Sequence, residues 1–293
     1  MLYNGLITII DLAIQDVRNP FFDRYRDALI LGSFREDVCY IRGLEMVVQS
    51  PSLTHFYRKG LAGGFVPFLW PGARYRTQCF TEKAIAEYRA GRFGSAFVQL
   101  GRASHPLMDM SCPVHAQAVV HETDPFEWCV EGMQDELMRL PVPPARDRDS
   151  AAALVEEMAL FAHEFKADKT NNGWGRLFKR WGWWTAVDAA QAREQARRLI
   201  PACAGHTSAL FRLFLRRTEH LSTMAPDDVA NRRDVLEETL RSLQMSAVGV
   251  DRLLRRILDF CAAHNADTHY RALVDMLTDC ASAHRSVLAS EPP

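Results

Sequence analysis

The stretch GRASHPLMDMSCPVHAQAVVHETDPFEWCVE, residues 101–131, concentrates His105, Asp109, His115, His121 and Glu127 in a chain that has ten histidines in all. His105 and Asp109 stand four apart, so on a helix they lie one above the other on one face and can converge on a single ion. Phe97, Leu100, Ser104, Leu107 and Met108 recur at helical spacing around them, and Gly101, one turn earlier, leaves that face open to close approach. Pro113 predicts the end of this helix, because its ring disfavours helical geometry at Cys112 and removes a backbone donor. His115 then falls in the following turn. Taken alone, an HxxxD pair reads as a helix-surface hydrogen bond. Five such residues in one segment point to a metal, and imidazole with carboxylate is the donor set of zinc in hydrolytic sites.

Further along, DPFEWCVEGM places Asp124 at a helix cap, Pro125 at the first helical position and Glu127 three residues after the cap. That arrangement leaves two readings open. Either Glu127 is a metal ligand, or it serves the cap and Asp124 or Glu122 takes its place.

These residues, with two upstream pieces, resemble the zinc-dependent phospholipase C and S1/P1 nuclease family, all-helical phosphodiesterases whose signature is HxxxD on a helix followed by PxH. Here the signature reads LGRASHPLMDMSCPVHA, residues 100–116. LGSFREDV at 31–38 is similar to the family's Gly-x4-Asp motif, giving Gly32 and Asp37, and THFYRKG at 54–60 is similar to its HFY motif, giving His55. Order and spacing agree from about residue 5 to about residue 216.

The resemblance implies an all-α bundle over residues 1–217 and two or three zinc ions, while residues 218–293 read from their apolar spacing as a helical extension that the family does not match. Asp37, His55, His105 and Asp109 would hold one ion; His115, His121 and Glu127 would hold a second; and Asp109 would bridge toward a third. The implied reaction is metal-assisted hydrolysis of a phosphodiester, with Asp37 also accepting the proton of the attacking water. The Gly-Gly-Asn segment usual in the nuclease branch between PxH and the next His is absent. The expected substrate is therefore a phospholipid headgroup, and single-stranded nucleic acid is the alternative. A non-enzymatic helical protein with an incomplete metal site is the third reading, because the family's N-terminal Trp and His are missing and Leu6 stands where that His would be.

The rest of the chain sets bounds. With 293 residues and 48% hydrophobic content it can bury a sizeable core, and a net charge of -1 gives no global pull toward nucleic acid or anionic membrane. Seven scattered cysteines without CxxC read as free thiols. MLYNGLITIIDLAIQDV lacks a basic n-region and carries Asp11, so it reads as an amphipathic helix rather than a secretory signal or membrane span. Either the natural start lies upstream, in a secreted form, or the third metal site has been lost. Glu36 and Asp37 have a competing reading as a solvated acidic turn, and His55 as an ordinary histidine at a helix start after Pro51-Ser52. Residues 60–76 read as irregular, Thr81 as the cap of the next helix, and 186–217 as a long helix interrupted at Pro201, with His206 structural. No strand-like alternation is present. The segment Trp174 to Trp184 interleaves Trp174, Trp181, Trp183 and Trp184 with Arg176, Lys179 and Arg180, a composition suited to peripheral contact with a lipid surface, to stacking on bases, or to filling a gap between helices.

Overall fold

A computed structural model describes residues 3–41, 46–49, 55–57, 71–119, 121, 124–170 and 186–218. The Trp174 to Trp184 segment and the expected 218–293 extension, apart from Thr218, lie outside the described residues. The described chain is mostly helical. Helix α1 spans Tyr3–Val17, α2 Pro20–Arg24 and α3 Arg26–Arg35. A hairpin of β1 (Val38–Ile41) and β2 (Met46–Gln49) follows, then α4 (Ala73–Arg89), α5 (Phe93–Asp109), α6 (Pro113–Ala116), α7 (Pro125–Glu131), α8 (Gln134–Leu137), α9 (Ala151–Ala162) and α10 (Ala189–Thr218).

Helix α5 is the inner element. Its face of Ala96, Phe97, Leu100, Ala103, Leu107 and Met108 is buried, with α3 on one side and α4 on the other. The 30-residue α10 packs along α1, α7 and α9 and closes the bundle. Between α2, α5 and α10 the aromatic rings interlock: Phe22 stacks on Phe211 at 4.6 Å between centroids, and Tyr25 on Phe97 at 4.4 Å. Fully buried rings of this kind cost about 3–5 kcal/mol each when truncated to Ala, so they outweigh any single surface contact. At the other end, Asn4 of α1 donates its backbone N–H to the Glu131 carboxylate of α7 at 2.9 Å.

Five local expectations differ from the structure. The β1–β2 hairpin pairs antiparallel with Val38 opposite Gln49, although no strand was expected; four residues a side are too few for alternation to register. Helix α4 begins at Ala73, inside the stretch read as irregular, and runs through Thr81. The Thr81 hydroxyl caps nothing; it donates to the Thr77 carbonyl one turn back at 2.7 Å, an alternative open to Thr in a helix interior. Helix α10 continues unbroken through Pro201, where an interior proline costs about 3 kcal/mol and burial of Leu199, Ile200, Leu210 and Phe214 offsets it. His55 is not at a helix start, since 55–57 is a non-helical link.

Candidate metal centre

The site begins with a helix crossing. A methyl group built on Gly101 of α5 would stand 2.0 Å from the Leu29 carbonyl oxygen of α3, and one on Gly32 of α3 would stand 2.0 Å from the Val98 carbonyl oxygen of α5. Backbone therefore meets backbone at two reciprocal points, an approach only glycine permits. This contact carries the C-terminal end of α3 to the last turns of α5, where Glu36 and Asp37 follow in sequence. Glu36 is no solvated acid: it is 3% exposed and is gripped by Arg102 at 2.6 Å and by Arg76. Burial would raise its pKa, but the two guanidinium charges hold it below the usual carboxylate value. With Glu36 anchored on α5, the neighbouring Asp37 is carried to His105.

His105 and Asp109 occupy the last turns of α5, as their spacing requires. His105 Nε2 lies 3.2 Å from Asp37 Oδ1 and 3.2 Å from Asp109 Oδ2. His55 arrives from the non-helical link, with Nδ1 at 3.0 Å from Asp109 Oδ2 and 3.8 Å from Asp37 Oδ1. The link is fixed at both sides, because Tyr57 N–H donates to the His115 carbonyl at 3.2 Å and Ala73 N–H to the Phe56 carbonyl at 3.3 Å. Each residue of the HFY run thus has its own place. His55 faces the carboxylates, Phe56 stacks on His115 at 5.3 Å, and the buried Tyr57 reaches Glu156 at 3.5 Å.

The chemistry of these donors fits a cation. His55, His105 and Asp109 are essentially inaccessible, and Asp37 retains 24% exposure at the open edge. His105 Nε2 stands at the same distance from Asp37 and Asp109, the position from which its lone pair would address a cation held between them. Ser33 Oγ lies 3.5 Å from His105 Nδ1, within reach to orient the imidazole ring. Without a metal, burial pulls the His105 pKa down, but Asp109 and Asp37 outweigh it and push it up to about 10. A proton on His105 is then the charge that holds the two acids together, and both have pKa values lowered against the effect of burial by that imidazole.

A second grouping lies beside the first. His115, on α6, has Nε2 at 3.5 Å from Glu127 Oε1, and His121 Nε2 is 3.8 Å from Glu127 Oε2. The rings of His115 and His121 meet edge to face at 4.8 Å. His121 is oriented by the Val119 carbonyl, 3.1 Å from Nδ1. The question of the α7 cap is answered by Asp124, whose Oδ1 accepts from Phe126 N–H at 2.8 Å and Glu127 N–H at 3.4 Å while the Glu127 carboxylate faces the imidazoles. Burial and the Glu127 charge push Asp124 up to about 6. Glu127 is held low by its imidazole neighbours in spite of burial, and burial lowers His115. Asp109 and His115 feel each other's charge, which puts Asp109 between the two groupings.

Sequence reasoning overlooked Cys112. Its sulfur, a His115 ring nitrogen and a Glu127 oxygen all lie within 4.8 Å of one another. The signal was present as Cys-x-x-His immediately before and inside the PxH motif. Leu6, where the family's N-terminal His would stand, is fully buried apolar surface and offers no donor. Among the described residues, the groups whose ligand atoms all lie within 4.8 Å of one another are Asp37, His55 and His105, and Cys112, His115 and Glu127; Asp109 and His121 are not members of either. His206 is structural, with Nδ1 at 2.8 Å from the Ala202 carbonyl one turn back.

No family model and no curated protein matches this chain. No described helix is long and apolar enough to cross a membrane.

Proposed function

We propose that the chain is a zinc-dependent phosphodiester hydrolase of the phospholipase C and S1/P1 nuclease kind, acting on phospholipid headgroups. The observation that carries this reading is the convergence of Asp37, His55, His105 and Asp109 from three separate segments onto a common point, next to His115, His121 and Glu127. Zinc bound there supplies Lewis-acid polarisation of phosphate oxygens and a more acidic water. The chain's own residues do the rest. His55, His105 and Asp109 exclude water, so charge interactions inside the site are strong. Asp37 alone combines a place among these donors with access to solvent, and it is the group that takes the proton of an attacking water. Its lowered pKa makes it a weak base, and proton acceptance is correspondingly limited. The missing Gly-Gly-Asn segment between His115 and His121 favours the lipid branch over the nuclease branch.

Zinc-replete protein of known metal content, assayed on phosphatidylcholine vesicles, a soluble phosphocholine ester and single-stranded DNA, tests the proposal. Hydrolysis of the first two is expected. Turnover of DNA alone would move the chain to the nuclease branch. Fully loaded protein that hydrolyses none of the three would sink the enzymatic reading.

A further inference from the structure

The second grouping contains a sulfur that the PxH motif does not call for. Cys112 is fully buried at the N-cap of α6, and His115 follows three residues on, the spacing that puts two side chains on one side of a helical turn. Its Sγ lies 3.8 Å from Asp124 Oδ1, an oxygen that already accepts the Phe126 N–H at 2.8 Å. A weak S–H donor gains little from an acceptor so engaged. His115 is likewise buried, and its Nδ1 has no hydrogen-bond partner. The sulfur, imidazole and carboxylate of Cys112, His115 and Glu127 converge within 4.8 Å, the separation from which small side-chain shifts close a coordination shell.

We propose that Cys112 is a protein ligand of the second metal ion, completing with His115, His121 and Glu127 a set of two nitrogens, one oxygen and one sulfur. This rests on the metal-centre reading above and adds to it a donor and a preference. On coordination the S–H bond breaks, the proton leaves to solvent and the thiolate donates its electron pair. A thiolate in the set selects zinc or cobalt(II) over the hard cations magnesium and manganese.

Metal-free protein titrated with cobalt(II) reads this directly. The expected result is a near-ultraviolet sulfur-to-cobalt charge-transfer band in the unaltered protein and in Cys203→Ser, and its loss in Cys112→Ser while the visible cobalt bands of the first grouping persist. A cobalt-loaded protein with visible bands and no charge-transfer band, or a band that survives in Cys112→Ser, overturns the assignment. A chain that takes up no cobalt fails earlier, at the metal-centre reading itself. Zinc X-ray absorption on the unaltered protein needs no variant: a sulfur shell at about 2.3 Å is expected, and nitrogen and oxygen scatterers alone would overturn the proposal.

Discussion

The two groupings of donors are built by different means. The first draws Asp37, His55 and the His105–Asp109 pair from segments far apart in sequence, and it is held by a backbone-to-backbone helix crossing at Gly32 and Gly101 and by the anchored Glu36. The second is assembled from neighbours, residues 112–127, by short helices with proline at their first positions, by the Asp124 cap and by a reversal at Ala118, whose φ of 53° is left-handed. Long-range packing fixes distances between distant residues, whereas caps and turns fix only near ones. Damage to the α3–α5 contact should therefore reach the first grouping and spare the second, and damage to a cap should do the reverse.

Asp109 is the residue at which that separation breaks down, since its charge is felt in both groupings. Replacing it with Ala should abolish phosphodiester hydrolysis, by at least about 100-fold, and lower metal content. Full zinc and full turnover in that variant would show that the site lies elsewhere.

The pH dependence of the metal-free chain sharpens the contrast. His105 has a folded pKa raised from 6.5 to about 10, so the stability it contributes is complete below about 6.5 and is lost as pH rises through about 10. Asp37, Asp109 and Glu127 are lowered, so their contribution is present above the ordinary carboxylate range and is lost on acidification. Stability without metal, followed as melting temperature, should thus fall between about pH 6.5 and pH 10. Zinc affinity should rise over the same window, because the cation displaces the His105 proton. A melting temperature that climbs on the alkaline side would contradict the buried imidazolium.

Glu36→Ala leaves Arg76 and Arg102 facing each other without their carboxylate and should cost about 3 kcal/mol. Because Glu36 positions Asp37, one class of metal site should weaken in calorimetric titration while the other is unchanged. Equal weakening of both would mean that the groupings are not independently held. The smallest effect is expected at the cap. Asp124→Ala should cost about 1 kcal/mol and disturb the second grouping alone, read as a lost or broadened sulfur-to-cobalt band with the remaining cobalt spectrum intact.

Several parts of this architecture were legible in the amino-acid sequence because they are local. Helical spacing determined that His105 and Asp109 share a face, Asp124-Pro125 marked a helix start, and apolar periodicity marked helices around Phe97–Met108 and over 186–217, where the structure has 93–109 and 189–218. Local signals also misled where packing was stronger than propensity, as at Thr81 and Pro201. Tertiary structure alone decided that Glu36 is buried between two arginines while its neighbour Asp37 faces histidines, that the Glu127 carboxylate faces His115 and His121, and that Cys112 belongs beside His115 and Glu127. The physical reason is the same in each case. Periodicity specifies which face of an element a residue occupies, but what meets that face depends on how closely two backbones approach, and between α3 and α5 that approach is set by two glycines.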